Sequence, residues 1–276
     1  MTIVQALEWA QQKLENCENP STESEVLLAA LLQKDRIFLK TQGDLGLSWW
    51  KFFQYRRYIL KRRKHIPVAY ILGEKIFLGL RIFIHKNVLI PRDETEILCQ
   101  HIVESYKANP PPQSILDVGT GSGCIAIYLG IIFPQAEVMA LDISSQSLDC
   151  AQKNADKENR TIRFLQSDLL SSVPEASFFD LIVANLPYLP DTLSVSPEVH
   201  QEPSWALFSG SDGLDHIRKF EQELRLKKIQ FSALWLEFLP IQKEKIKDIF
   251  SKYSVEFYTD IGGHVFFVKI QQPSDF

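Results

Sequence analysis

Along the first seventy residues, apolar positions recur three and four apart. Val4, Leu7, Ala10 and Leu14 fall on one face of a predicted helix, and "STESEVLLAALLQ" opens a second, with Thr22 followed three positions later by Glu25 in a capping-box pattern. The next segment, "LSWWKFFQYRRYILKRRKH", predicts a helix that mixes aromatic residues with Lys51, Arg56, Arg57, Lys61, Arg62, Arg63 and Lys64. From Ile71 the period changes to two. "AYILGEKIFLGLRIFIHKNVLI" alternates and is punctuated by Gly73 and Gly79, which predicts a β-hairpin. Beyond the linker-like "ANPPPQ", Ala108 to Gln113, strands are expected at "SILDV", "EVMALD", "IRFLQS", "LIVAN", "ALWLEF", "SVEFY" and "HVFFVKI". Helix-sized segments separate the first four, the signature of βαβ units on a parallel sheet; the last two flank "TDIGG" and predict an antiparallel pair at the sheet's end. The expected fold is therefore α/β, a doubly wound, Rossmann-like seven-stranded sheet behind a small all-helical domain. The boundaries are 1–67 for the helical domain, 68–90 for the hairpin linker and 91–276 for the sheet domain.

Composition narrows the classes. The chain has 276 residues, 45% hydrophobic and 23% charged, ordinary for a globular protein. A net charge of -4 gives no surplus of cations for neutralising phosphates, so stable nucleic-acid binding is not expected. Against that background the basic helix reads either as a solvated face or as a docking surface for an acidic or RNA-containing partner. The four cysteines, Cys17, Cys99, Cys124 and Cys150, show no zinc-type pairing and no disulfide density, which suggests a reducing, cytoplasmic compartment. The start "MTIVQALEWAQQKLEN" is unlike a signal peptide, and no apolar run approaches the roughly 18 residues that span a bilayer, so no membrane association is expected. The six histidines lack metal-ligand spacing; His65, His101, His200 and His216 read as solvated or structural, and no metal is expected.

Candidate chemistry begins after the first strand of the parallel set, at "LDVGTGSGCIAI", Leu116 to Ile127. A strand, a glycine-rich turn and a helix start let the backbone approach a ligand closely with its amides facing it. The turn is no P-loop, because no lysine follows it, and a dinucleotide fingerprint would need glycine where Cys124 stands. Gly119, Gly121 and Gly123 behind Asp117 fit a ligand with an adenosine ribose and no pyrophosphate, as in S-adenosylmethionine. Asp142 ends the second strand, where a carboxylate can accept from both ribose hydroxyls. Asp168 follows the third, where it can accept from an adenine amino group. Ligands lie outside the carboxyl ends of such strands, so the three sets converge.

The fourth strand ends in "NLPY", Asn185 to Tyr188. Asparagine and proline at a strand's end usually mark a turn, but this position adjoins the predicted methyl donor. A planar amide or aromatic amine is a poor nucleophile, since its nitrogen lone pair is delocalised. Asn185 can accept one N–H through its side-chain oxygen and the carbonyl of Leu186 the second, which fixes the nitrogen for in-line attack and stabilises the charge that develops on it. Pro187 restricts the residue before it, and Tyr188 can lie flat against the planar group.

"NLPY" is similar to the Asn-Pro-Pro-Tyr motif of methyltransferases acting on planar NH₂ groups, a class that includes DNA and ribosomal RNA adenine enzymes. "PVAYILGEKIFLGLRIFIHKNVLIPRDETEIL", Pro67 to Leu98, and "EPSWALFSGSDGL", Glu202 to Leu214, resemble the HemK/PrmC family over nearly the whole chain. The resemblance implies a class I S-adenosylmethionine-dependent fold and methylation of the glutamine amide in the Gly-Gly-Gln loop of class I peptide-chain release factors, with S-adenosylhomocysteine as product. It implies cofactor binding by Gly119, Thr120, Gly121, Ser122, Gly123, Asp117, Asp142, Asp168, Leu169 and Asn185. Asn185, Leu186, Pro187 and Tyr188 would hold the glutamine, with Asn185, Pro187 and Tyr188 catalytic. The protein is expected to act as a monomer. N6-adenine methylation of ribosomal RNA or DNA is the first alternative, and a non-enzymatic, ribosome-associated cofactor-binding module the second. The chain departs from the family pattern at Leu186, where the motif's first proline stands, at Asp93 in "PRDETE", and in "LEFLP", which lacks the glycine often found after the fifth strand's acid. Arg92, Glu94 and Thr95 read equally as contacts to the cofactor's methionine end or as an ordinary helix start.

Overall fold

The structure, a computed structural model, describes residues 1–272. It divides into two compact units: Met1–Glu74 together with Val195–Gln201, and Lys75–Ser194 together with the chain from Glu202 onward.

The first unit is helical: α1 (Ile3–Lys13), α2 (Pro20–Leu32), α3 (Arg36–Thr41), α4 (Trp49–Arg62) and α5 (Val68–Leu72). α1 buries Ile3, Ala6, Ala10 and Leu14, so the apolar face starts at Ile3 and the expected Val4 is 43% exposed. The capping box sits at Thr2 and Gln5, whose side chains each bond the other's backbone N–H. The box expected at Thr22 does not form. Pro20 starts α2 two residues earlier, as proline's fixed φ suits a first helical position, and Glu25 turns instead to Arg36 at 2.6 Å. Arg62, at the end of α4, is 2% exposed; it pairs with Glu23 at 2.7 Å and with Glu198 at 2.6 Å. Burial pushes Glu198 toward its neutral form, but the bonds from Arg62 and His65 prevail and bring its pKa down to about 2.

The second unit opens with a hairpin, β1 (Glu74–Phe77) and β2 (Leu80–Phe83), shorter than the expected 68–90 because Val68–Leu72 is helical. There follow α6 (Asp93–Ser105), β3 (Ser114–Val118), α7 (Cys124–Ile132), β4 (Glu137–Asp142), α8 (Ser145–Lys157), β5 (Arg163–Gln166), β6 (Phe178–Ala184), α9 (Asp215–Leu226), β7 (Gln230–Glu237), α10 (Lys243–Ile249), β8 (Ser254–Thr259) and β9 (Val265–Gln271). All seven expected strands are present, in the order β5-β4-β3-β6-β7-β9-β8. β3 to β7 run parallel, while β9 inserts antiparallel between β7 and β8. The order reverses between β3 and β6, so the chain leaves these neighbouring strands in opposite directions and opens a crevice at their carboxyl ends. No helix of the described residues is long and apolar enough to cross a membrane.

Candidate active site

The crevice is a pocket of about 970 Å³, mouth included, lined by the ends of β3, β4 and β6 and by the loops after β5 and before α6. Its floor is the glycine turn. The amides of Gly119 and Thr120 both donate to Leu141 O, at 2.9 and 2.8 Å, which ties the turn to β4. Gly123 caps α7 at φ 82°, where a Cβ would sit 2.9 Å from Ala151 Cβ; only glycine lets α7 approach α8 so closely. Asn154 of α8 completes the scaffold. It exchanges two bonds with the backbone of Phe83 and donates to Ser122 O at 2.9 Å, joining the hairpin to the turn.

Asp142 lines the pocket, accepting from Gly121 N and Ser144 N at 2.8 Å on its two oxygens and also from the Ser147 side chain. A carboxylate has about four acceptor sites, so capacity remains for a further donor. Burial raises its pKa, opposed by those backbone bonds. Asp168 also lines the pocket but is half exposed and paired with Lys219. Gly119 to Ser122, Leu169, Asn185, Leu186 and Pro187 share the same wall. Gly123, Asp117 and Tyr188 do not. Asp117 lies wholly buried beneath the turn, where its Oδ2 accepts from Thr120 Oγ1 at 2.6 Å and Ala126 N at 3.2 Å. The expected direct contact therefore becomes a brace. Burial pushes its pKa to about 7, with the charge of Asp142 acting in the same direction and the two bonds against it. Tyr188 directs its hydroxyl away from the wall, to Glu237 Oε1 at 2.7 Å.

The stretch before α6 resolves two ways. Arg92 and Thr95 line the pocket, whereas Glu94 does not, and Asp93, Glu94 and Glu96 occupy the first helical turn where its dipole favours acids. Glu202 anchors this stretch, accepting from Ile90 N at 3.0 Å and pairing with Arg92 at 2.5 Å. The rest of "EPSWALFSGSDGL" packs against the segment that follows β6. Leu189 N donates to Leu207 O and Ser209 N to Leu189 O, both at 2.9 Å, and Gly213, at φ 78°, leaves the space where a Cβ would meet Tyr188 O at 2.1 Å. Gln242 binds both Tyr188 O and Asp212 O, at 2.8 and 2.9 Å.

Several lining residues carry no motif: Ile143, Ser147, Ser167 and His216. His216, read from sequence as solvated or structural, bonds Ser209 Oγ at 2.7 Å, and burial lowers its pKa. The buried acid Glu237 escaped assignment too, although it ends an apolar strand just as Asp142 does. The glycine cradle, the remaining acceptor capacity of Asp142 and the unpartnered buried Oγ of Ser122 fit a polar nucleoside ligand.

Two family models match, the PrmC N-terminal domain over residues 5–73 and the methyltransferase small domain over 86–203. A release factor glutamine methyltransferase of Leptospira interrogans is 36% identical over 89% of this chain and 88% of its own length. The enzyme of that name from Buchnera aphidicola is 34% identical, covering 96% and 97%. In fold, the chain is similar to a T. thermophilus 16S rRNA methyltransferase in complex with AdoMet and guanosine, with a TM-score of 0.53 and 16% identity over 72% of this chain and 50% of that one.

Proposed function

The chain belongs to the release factor glutamine methyltransferase family, and we propose that it transfers a methyl group from S-adenosylmethionine to the side-chain amide nitrogen of the glutamine in the Gly-Gly-Gln loop of class I peptide-chain release factors. The observation that carries this reading is the sharing of one pocket wall by Asn185 and the glycine turn with Asp142. When bound, S-adenosylmethionine supplies an electrophilic methyl group on a sulfonium. Gly119 to Gly123 would form its cradle, Asp142 would receive the ribose hydroxyls, and Asp168 with Leu169 would meet the adenine.

Asn185 holds its nitrogen toward Thr95 and Glu237, at 3.0 and 3.1 Å, and no hydrogen bond from the described residues reaches its Oδ1. That oxygen is available to accept a substrate N–H, and the Leu186 carbonyl would accept the other. Placing the amide in this way removes translational and rotational freedom before reaction, a contribution that reaches roughly 7–11 kcal/mol in well-oriented systems. The clamp also excludes amines that lack two in-plane hydrogens.

The helical unit would dock the body of the release factor. Trp49, Trp50 and Phe53 form an exposed aromatic cluster beside the exposed Arg56, Arg57, Lys61, Arg63 and Lys64. A methyl-transfer assay with purified release factor, read by mass spectrometry of the Gly-Gly-Gln peptide, tests the assignment. One methyl group on the glutamine is expected. Transfer to ribosomal RNA, with none to release factor, would overturn it.

A further inference from the structure

Behind the pocket wall, one carboxylate gathers the polar side chains of the substrate segment. Glu237 ends β7 with no solvent exposure, between Leu236 and Phe238 and in register with Phe267 of β9. Its Oε1 accepts from the Tyr188 hydroxyl at 2.7 Å; its Oε2 accepts from the Thr95 hydroxyl at 2.9 Å and from Asn185 Nδ2 at 3.1 Å. Thr95 Oγ1 in turn accepts from Asn185 Nδ2 at 3.0 Å. All the side-chain bonds of this acid run to groups in or beside the candidate site, in surroundings that would otherwise favour a hydrophobe.

We propose that Glu237 is a positioning residue that locks the Asn185 side-chain amide with its nitrogen inward and its oxygen toward the bound substrate, an assignment that rests on the methyl-transfer reading above. The two ends of an asparagine amide have the same shape and opposite hydrogen-bonding character. Only the oxygen can receive a substrate N–H. A carboxylate accepts and cannot donate, so it attracts Nδ2 and repels Oδ1. A protonated Glu237 carries one O–H donor and satisfies either end, so the amide is free to turn and present N–H to N–H.

This makes the lock sensitive to pH. Burial pushes the pKa of Glu237 to about 7; the charge of Glu94 acts with burial, while Arg92 and the bonds from Tyr188 and Thr95 act against it. Tyr188 and the α6 thiol of Cys99, the other titratable groups facing it, keep their protons well above their ordinary ranges. The ionised, locking form therefore grows as pH rises through neutrality, and kcat grows with it. Asp117 titrates in the same range, so substitution is needed to separate the two acids.

The test is Glu237→Gln, assayed for methyl transfer to intact release factor from about pH 6 to about pH 8.5, with cofactor affinity by calorimetry alongside. The expected result is a loss of about 10- to 100-fold in kcat at the upper pH, a flat profile across neutrality, and cofactor Kd and release-factor KM within about twofold of wild type. An unchanged kcat, or a reduced kcat that keeps the wild-type pH rise, overturns the assignment. A second measurement needs no variant: the side-chain amide resonances of Asn185 in nitrogen-15-labelled wild-type protein should titrate with the same midpoint as kcat. Resonances that do not move through neutrality overturn it even if the variant fails to fold. Titrating resonances in a wild type that leaves release factor unmethylated would support the lock while overturning the proposed reaction.

Discussion

Asn185 and Asp142 line one pocket, and the proposed reaction gives them different duties that single substitutions separate. Asn185→Ala is expected to keep S-adenosylmethionine affinity and lose most methyl transfer, because on the proposed reading its side-chain oxygen would receive the substrate amide while Thr95 and Glu237 hold its nitrogen. Calorimetry beside an activity assay checks this, and affinity falling in step with activity would refute it. Asp142→Ala should weaken cofactor binding by about 1–3 kcal/mol, since it would remove the proposed ribose acceptor and also frees the amides of Gly121 and Ser144 that shape the turn. Asp117 acts on stability instead. Its folded pKa of about 7 lies above the ordinary 3.8, so between those values the folded chain binds more protons than the unfolded one. Its contribution is fully present below 3.8 and is lost as pH rises through about 7. Thermal melts should therefore show wild type losing ground to Asp117→Asn between about pH 4 and about pH 8. Parallel curves would place the charge elsewhere.

Helix starts supply a sharper contrast. Thr2→Ala should cost about 1 kcal/mol, because Thr2 caps α1 in both directions with Gln5, while Thr22→Ala should stay within about 0.5 kcal/mol, since Thr22 lies exposed within α2. Denaturant melts of the two variants decide it. The mistaken box shows what local pattern cannot resolve: Thr22 and Glu25 have the right spacing, but Pro20 and the pairing of Glu25 with Arg36 set the start, and Arg36 is eleven residues beyond Glu25. The parallel strands were legible because each is an apolar run stopped by glycine, asparagine or an acid. That the glycine turn, Asp142, Asp168 and Asn185 line one pocket was legible because the crevice of such a sheet opens at the carboxyl ends of its strands. Glu237 obeys the same rule, yet with an apolar sheet around it and its partners Thr95 and Asn185 142 and 52 residues away, nothing near it in sequence marks its role. Asp117 was legible as an acid near the turn but not as a brace, because only packing shows that the chain covers it.

The basic helix carries two kinds of arginine, which composition alone cannot sort. Arg62 is buried against Glu23 and Glu198, so Arg62→Ala should cost about 3–5 kcal/mol by stranding two carboxylates, and it belongs in no test of docking. Lys51 likewise spends its charge on Leu31 O at 2.9 Å. Reversing the exposed Arg56, Arg57 and Arg63 to glutamate is the cleaner experiment. It should raise the apparent KM for intact release factor about tenfold at low salt, while leaving methylation of a short Gly-Gly-Gln peptide unchanged. Equal losses on both substrates would make the helix a folding element only.

The pairing of Arg62 with Glu198 has one more consequence, and it concerns the order in which the chain is made. The two residues are 136 apart, so a ribosome finishes all five helices long before it supplies Glu198. Until then Glu23 is the one carboxylate of this pair available to Arg62, and the second ion pair can form only once Val195–Gln201 has been made. Biosynthesis thus proceeds past Asn185–Tyr188 before the first-made unit can gain its last segment. Completion of the earliest structure is timed by the synthesis of the later one.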